Sequence, residues 1–190
     1  MSEVKSILLV GVGGQGTILV GRIISNGFLE AGYDVKMSEV HGMAQRGGSV
    51  SNHVRYGRKV YSPIIDKGQA DVLAAFETME AVRWLPWLKK GGQIVVNDYR
   101  IPSAPILTGQ AQYPEGVLEA LQAQAPTTVV KAAETAMSLG NLKVMNIVLL
   151  GTLVKKMALD EIDWEAQIKS NVKAEFVDLN LKAFQAGGRA

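Results

Sequence analysis

The sequence predicts an α/β fold: a doubly wound, mostly parallel sheet with helices on both faces, Rossmann-like and carrying an added β-hairpin. Short apolar runs alternate along the chain with segments of helical spacing, and a glycine-rich loop joins the first such pair. Neither an internal repeat nor a linker interrupts this alternation. We therefore expect residues 1–190 to form a single domain.

The first half of the chain supplies two strands, a helix and a hairpin. SILLVGV is a short continuous apolar run, as expected of a strand that is buried on both faces. The segment after the glycines has helical spacing and ends at Gly32. Its expected apolar face consists of Ile18, Val20, Ile23, Ile24 and Leu29. YDVKMSEV predicts the second strand, and SVSNHVRYGRKVYSP predicts a hairpin that turns at Gly57.

The second half continues the alternation. ADVLAAF predicts a buried strand, which is followed by a helix that opens on Thr78, is kinked or shortened by Pro86 and ends at the Gly91–Gly92 pair. QIVVND, PEGVLEALQAQ and TTVVKA predict a strand, a helix and a strand. A helix over 141–157 is apolar on more than one face, so it is buried either in the core or against another chain. One or two amphipathic helices are expected over 160–185.

Composition limits the functions that the chain can carry. With 47% hydrophobic residues and a net charge of +2, the sequence is typical of a globular protein and gives no electrostatic reason to expect a nucleic-acid partner. No apolar run approaches the roughly 20 residues of a membrane span. The N-terminus lacks the basic region and cleavage site of a leader, so we expect a cytoplasmic location without membrane contact.

The absence of cysteine is the most restrictive feature of the composition. Without a thiolate, the chain has no cysteine nucleophile and no disulfide. Iron–sulfur clusters are held mainly by cysteine, so we do not expect one on this chain. Its only histidines are His41 and His53, which makes a zinc site improbable. We therefore assign neither a metal ligand nor a catalytic residue.

The first candidate binding element is the loop GVGGQGT. Its G-x-G-x-x-G motif consists of Gly11, Gly13 and Gly16, with Gly14 and Gln15 between them. After a strand and before a helix, such glycines permit a tight turn, close approach of a phosphate and helix packing, and the helix N-terminus attracts an anion. Glu39 lies where a ribose-binding acid would follow. The alternative is that the glycines serve tight packing alone.

The second candidate is the loop SEVHGMAQRGGSV, after which no acidic residue occurs before Asp66. Arg46, Gly47 and Gly48 resemble an anion-binding turn, with a guanidinium beside open backbone amides. Loops at the carboxyl ends of the strands of a doubly wound sheet converge on one crevice, so the two loops should face each other. The expected interface or active-site border consists of His41, Met43, Gln45 and Ser49. His41 acts either as an acid or base or as a hydrogen-bonding anchor of the loop.

Together the two loops, and SLGNLKVMN before the late helix, resemble the gamma-type subunits of 2-oxoacid:ferredoxin oxidoreductases, especially the beta subunits of indolepyruvate ferredoxin oxidoreductases. The resemblance implies a heteromeric oxidoreductase that decarboxylates a 2-oxo acid such as indolepyruvate or pyruvate, forms an acyl-CoA and reduces ferredoxin. It places thiamine diphosphate, Mg and the iron–sulfur clusters on a larger partner subunit. This chain would border the active site and help to bind CoA, and in isolation it is a candidate homodimer.

Two other functions fit parts of the sequence. The glycine motif with Glu39 would also suit a free-standing NAD-dependent dehydrogenase, although no convincing pair of proton-transfer residues accompanies it. The resemblance to ferredoxin-linked enzymes favours a role for Glu39 in ordering the next loop or an interface. A pure assembly module that binds nothing is the third interpretation. The identity of the 2-oxo acid depends on the partner chain.

Overall fold

The computed structural model describes residues 4–41 and 47–189, which form a six-stranded sheet surrounded by helices. The strands are β1 (Lys5–Val12), β2 (Asp34–His41), β3 (Ser49–Gly57), β4 (Ala70–Ala75), β5 (Leu88–Asn97) and β6 (Thr127–Val130). The α-helices are α1 (Thr17–Glu30), α2 (Thr78–Trp84), α3 (Ala104–Leu107), α4 (Val117–Gln124), α5 (Ala132–Ser138), α6 (Met145–Lys156), α7 (Trp164–Asn171) and α8 (Val177–Gly188). The predicted α/β class is confirmed.

The sheet is mostly parallel, with one inserted antiparallel strand. Its order is β2-β3-β1-β4-β5-β6, and the pairs β1–β4, β4–β5 and β5–β6 are parallel. Strand β3 runs antiparallel to both of its neighbours, so that Asn52 pairs with Leu9 on one side and with Glu39 on the other. In the usual dinucleotide-binding order the second strand lies directly beside the first. Here β3 separates them.

A hairpin is present, but its predicted position is wrong. Strands β2 and β3 form it, and the connection is the second loop rather than a turn at Gly57. Gly57 ends β3 and lies against the start of β1, where a Cβ atom would be 3.0 Å from the Cα of Val4. The chain that follows is held by Arg55, whose guanidinium donates to the carbonyl oxygens of Ser62 and Ile64. This glycine therefore serves close packing instead of a turn.

The helix after β4 is shorter than expected. It ends at Trp84, and Pro86 lies in a 3₁₀ turn, which confirms the predicted shortening. The expected end at Gly91–Gly92 is wrong, because β5 already begins at Leu88. Gly91 has a φ of 78°, and the pairing of β4 with β5 shifts register nearby. The glycine pair thus accommodates an irregularity within a strand.

Helix α1 packs on the sheet through a face that differs in part from the predicted one. Val20, Ile23 and Ile24 are buried, as expected. Ile18 and Leu29, however, are 42% and 54% exposed, so their assignment to the apolar face is wrong. The other buried residues of α1 were not in the expected set: Phe28, which stacks on Tyr56, and the smaller residues Thr17, Gly21, Ser25 and Gly27.

Helix α6 is buried inside this chain, which decides between the two expected environments for the late apolar helix. Helix α8 covers it at very short range. A Cβ atom on Gly151 would lie 2.1 Å from the carbonyl oxygen of Phe184, and one on Gly187 would lie 1.9 Å from that of Val148. Within the described ranges, none of the helices has the length and apolar character needed to cross a membrane.

Candidate ligand-binding cleft at the glycine loops

Gln15 organises the first glycine loop from within. Its side-chain oxygen accepts from the backbone N–H of Val12 at 2.8 Å, and its amide donates to the carbonyl oxygen of Phe76, also at 2.8 Å. A Cβ atom on Gly11 would lie 2.7 Å from that Gln15 oxygen and 3.0 Å from the Cβ of Phe76. Gly11 therefore leaves room for a side chain that ties the loop to the end of β4. The assignment of Gln15 to a cofactor stays a prediction.

Gly16 has two reasons to be glycine. Its φ is 79°, and a Cβ atom there would lie 2.3 Å from Nδ2 of Asn146. Asn146 is buried in the first turn of α6, where its Oδ1 accepts from the N–H of Ile147. The third glycine of the motif thus brings the start of α1 against the start of α6. Sequence reasoning missed Asn146 as a site residue, although an asparagine within an apolar helical run was a usable signal.

The structure brings the two glycine loops together. The N–H of Gly13 donates to the carbonyl oxygen of Gly48 at 2.9 Å, and the N–H of Gly47 donates to the carbonyl oxygen of Gly13 at 3.3 Å. These bonds make the loops adjoining walls of one cleft. They also mean that the N–H groups of Gly13 and Gly47 are already paired in this arrangement.

Part of the second loop lies outside the described residues. Met43, Gln45 and Arg46 fall there, as does the side chain of His41, whose backbone ends β2 opposite Val50. Their predicted roles at an interface or in anion binding stay predictions.

A cleft of about 440 Å³ opens at the glycine loops. Gly13, Gly14 and Gly16 form its backbone wall, the apolar side chains are Ile18, Val40 and Val50, and the polar ones are Thr17, Glu39 and Asn52. The exposure of Ile18 is explained by this position on the cleft rather than in the core. Glu39 is exposed and, because β3 intervenes, it lies two strands away from β1.

Asn52 is the most unusual polar group of the cleft. The residue is 2% exposed, and within the described part of the chain its Nδ2 has no hydrogen-bond partner. An unpaired buried amide is costly, since the group loses its bonds to water without replacement. Sequence reasoning did not single out Asn52, although asparagine is uncommon inside strands.

The start of α1 is receptive to an anion. Its N-cap is Gly16, which offers no side-chain acceptor, and its first turn contains no acidic residue. The first N–H groups of a helix have no intrahelical partner and carry a partial positive charge. Thr17 and Ile18, both in this first turn, line the cleft. The cleft therefore combines hydrogen-bond donors at one end with apolar walls.

On the opposite side of β3, Ser49 anchors the second loop to α2. Its hydroxyl donates to the carboxylate of Glu80 and accepts from the indole N–H of Trp84 at 3.2 Å. The Nε of Arg83 donates to the other Glu80 oxygen at 2.9 Å, although Glu80 itself is only 3% exposed. Ser49, predicted to border an active site or interface, thus has its hydroxyl engaged inside the chain.

His53 is buried on the same side of β3. Its Nδ1 accepts from the N–H of Ile65 at 3.0 Å, and its Nε2 lies 3.4 Å from the hydroxyl of Ser51. Burial lowers the pKa of His53 below its ordinary value, and the negative charge of Asp66 offsets this in part. Because Nδ1 must accept a hydrogen bond, the ring is neutral with its proton on Nε2.

Comparisons with known proteins agree over the whole domain. The family model described as "Pyruvate ferredoxin/flavodoxin oxidoreductase" matches residues 6–190. Indolepyruvate oxidoreductase subunit IorB of Archaeoglobus fulgidus is 38% identical, with 96% of this chain and 92% of the relative covered. The subunit of the same name from Thermococcus kodakarensis is 36% identical, and the match covers 97% of this chain and 95% of the relative.

Solved structures agree in fold. The gamma subunit of a keto/oxoacid ferredoxin oxidoreductase from Geobacter sulfurreducens PCA superposes with a TM-score of 0.76 at 28% identity, covering 99% of this chain and 96% of that one. A 2-oxoglutarate:ferredoxin oxidoreductase from Magnetococcus marinus also gives 0.76, at 21% identity; the match covers 100% of this chain and 31% of that longer one. The chain therefore belongs to the pyruvate ferredoxin/flavodoxin oxidoreductase family, as a gamma-type subunit of a 2-oxoacid:ferredoxin oxidoreductase.

Proposed function

We propose that this subunit supplies the CoA-binding wall of the oxidoreductase, with the diphosphate of CoA at the start of α1 and the pantetheine arm in the cleft. The arm would extend towards the partner subunit, where the acyl group is transferred. The observation that carries the proposal is the buried Nδ2 of Asn52, which has no hydrogen-bond partner among the residues that the structure describes, in a cleft that opens at the N-terminus of a helix.

The diphosphate suits the start of α1 for two reasons. The free N–H groups of a first helical turn bind phosphate oxygens, and the helix dipole favours negative charge there. The first turn of α1 also contains no carboxylate that would repel it. Gly14 and Gly16, both with positive φ, allow the backbone to turn into the helix at this point.

The pantetheine arm suits the rest of the cleft. The arm carries two amides and a hydroxyl on an aliphatic chain, so it needs apolar contact with a few polar partners. Ile18, Val40 and Val50 supply the apolar contact. Asn52 can donate to an amide carbonyl, and Glu39 can accept from an amide N–H or the hydroxyl. Because the arm is uncharged, the carboxylate of Glu39 is not repelled by it. Beside the diphosphate, the same carboxylate would meet like-charge repulsion.

We also propose that thiamine diphosphate, its Mg and the iron–sulfur clusters belong to a larger partner subunit in the cytoplasm. This chain has no cysteine for a cluster, and relatives are named as subunits. The Magnetococcus marinus oxidoreductase structure has 2-oxoglutarate, CoA and succinyl-CoA bound, and the match covers 31% of its chain. When bound to the partner, thiamine diphosphate supplies the carbanion stabilisation that decarboxylation requires. We expect the gamma-type chain to be inactive alone and to form a homodimer without its partner.

Replacement of Asn52 by leucine tests the proposal. In the assembled complex, we expect Asn52→Leu to weaken CoA binding about tenfold in calorimetry, because one buried hydrogen bond is lost. The free energy of unfolding of the variant chain should stay within about 1 kcal/mol of the wild type or rise, because an unpaired buried donor is removed.

Thr152→Val is the matched control. Thr152 is fully buried in α6, away from the cleft, and its hydroxyl donates to the carbonyl oxygen of Gly187 at 2.8 Å. This variant should lose stability and keep its affinity for CoA. An unchanged dissociation constant for CoA in Asn52→Leu would refute the proposed place of the pantetheine arm.

A further inference from the structure

A second cavity, of about 370 Å³, also borders the start of α1. Leu19 lines it, whereas the preceding residues Thr17 and Ile18 line the cleft. Asn146 forms part of its wall and touches Gly16, which belongs to the wall of the cleft. The first turn of α1 therefore borders both cavities.

The second cavity differs from the cleft in charge. Lys143 and Lys173 line it, and in the part of the chain that the structure describes neither forms an ion pair. Both side chains are exposed, and none of the described residues that line the cavity is acidic. Two ammonium groups without a competing carboxylate attract a strongly charged anion such as a phosphomonoester.

The same cavity carries groups that suit a nucleobase. Phe176 is 44% exposed, so its ring is open to stacking by a planar ligand. The side-chain amides of Asn171 and Asn180 also line the cavity, and asparagine amides match the donor and acceptor edge of adenine. An aromatic ring, amides and two lysines together indicate a nucleotide rather than a simple anion.

We propose that this second cavity binds the adenosine 3′-phosphate end of CoA, with adenine on Phe176 and the 3′-phosphate between Lys143 and Lys173. This inference rests on the proposed function, because it continues from a diphosphate held at the start of α1. CoA would then cross the N-terminus of α1, with its nucleotide on one side and its pantetheine arm in the cleft on the other.

The experiment compares CoA with dephospho-CoA, which lacks only the 3′-phosphate. Dissociation constants are measured by calorimetry on the assembled complex, with adenosine 3′,5′-bisphosphate as a competitor. We expect the wild type to bind CoA about tenfold more tightly than dephospho-CoA, and Lys143→Gln/Lys173→Gln to lose this preference by weakening CoA alone. The matched control is Lys90→Gln/Lys156→Gln, two exposed lysines outside both cavities.

Phe176→Ala separates the base from the phosphate. Because adenine is present in both ligands, this variant should weaken both about equally, by tenfold or so for a lost stacking contact. The bisphosphate should compete with CoA in the wild type and not in the double lysine variant.

The outcomes separate the two proposals. If CoA binds but dephospho-CoA binds equally well, or if the double lysine variant keeps the preference, the adenosine 3′-phosphate is bound elsewhere and this inference is wrong while the proposed function stands. If the assembled complex with Asn52→Leu binds CoA as the wild type does, the cleft proposal fails whatever the lysine variants show.

Discussion

The side-chain amide of Gln15 donates to the carbonyl oxygen of Phe76 at 2.8 Å, which ties the glycine loop to the end of β4. The other half of the Gln15 amide is equally occupied, since its oxygen accepts from the N–H of Val12. At 7% exposure, Gln15 holds the loop in shape, so the backbone wall of the cleft is already positioned before any ligand is bound.

Gln15→Glu tests this clamp through its pH dependence. At pH 7 the carboxylate still accepts from Val12 but faces the carbonyl oxygen of Phe76 without a proton to donate, so we expect a loss of about 2–3 kcal/mol in the free energy of unfolding. A protonated carboxyl can donate again, which raises the pKa of the new group in the folded chain. Its penalty should therefore shrink as pH falls towards 4 and grow as pH rises. Urea denaturation against the wild type at each pH measures this, with the exposed Gln122→Glu as a control that should show no such trend.

We expect Gly16→Ala to lower the free energy of unfolding more than a glycine substitution whose only cost is backbone strain. The matched control is Gly32→Ala, where φ is 85° and a Cβ atom meets nothing within 4 Å. We expect that control to cost about 1–2 kcal/mol, because an L-residue is held in the left-handed region. Gly16→Ala adds the collision with Asn146 and should cost at least about 1 kcal/mol more.

A double variant isolates the contact between these residues. Adding Asn146→Ala to Gly16→Ala removes the atom that collides, so the double variant should be more stable than the sum of the two single changes predicts. Additive losses in chemical denaturation would show that Asn146 does not account for the extra cost at Gly16.

Ser49→Ala should loosen the second loop from α2. The change leaves a Glu80 oxygen and the indole N–H of Trp84 without the hydroxyl that each contacts, and we expect it to cost about 2–3 kcal/mol in the free energy of unfolding. Amide exchange near the start of β3 should accelerate. The exposed Ser62→Ala is the comparison, and equal exchange rates in the two variants would contradict the anchoring role.

His53 makes stability depend on pH in a defined direction. Because its pKa in the folded chain is lowered from 6.5, the unfolded chain binds the proton more readily, so His53 costs nothing above pH 6.5 and destabilises the fold as pH falls below it. Protonation would also place an N–H against the N–H of Ile65. His53→Gln can accept from Ile65 without titrating, so we expect a smaller loss of stability between pH 7 and pH 5 than in the wild type. Parallel pH profiles of the two proteins would rule out this explanation.

The alternation of apolar runs and helical segments was enough to predict the α/β class, because each element shows its own periodicity locally. The position of β3 was not predictable in the same way. The apolar pattern of β3 is compatible with pairing at Gly57 or across the second loop, and only the contacts with β1 and β2 decide between them. The predicted hairpin therefore contained the correct strand, β3, but paired it with the segment after Gly57 instead of with β2.

The glycine loops of the candidate site could be predicted from the sequence, because they depend on local backbone conformation. The side chains around them could not, because their positions depend on how distant elements pack. Glycines at fixed spacing identified both loops. Asn52 and Asn146 gave weak signals, since one asparagine in a strand or helix does not reveal which elements will surround it. Ile18 shows the opposite error: its spacing is typical of a core-facing residue, yet it lies in the first turn of α1, where it lines the cleft and is 42% exposed.

The insertion of β3 has a consequence for how the sequences of such chains can vary in length. Side chains along a strand alternate between its two faces, so Asn52 serves the cleft while Ser51 and His53 serve the side packed on α2. Adding or deleting one residue inside β3 would exchange these sets, turning an imidazole towards the cleft and an amide towards the buried side near Ile65. Length variation should therefore be tolerated in the loop between β2 and β3 or after Gly57, and should be excluded from the strand between them.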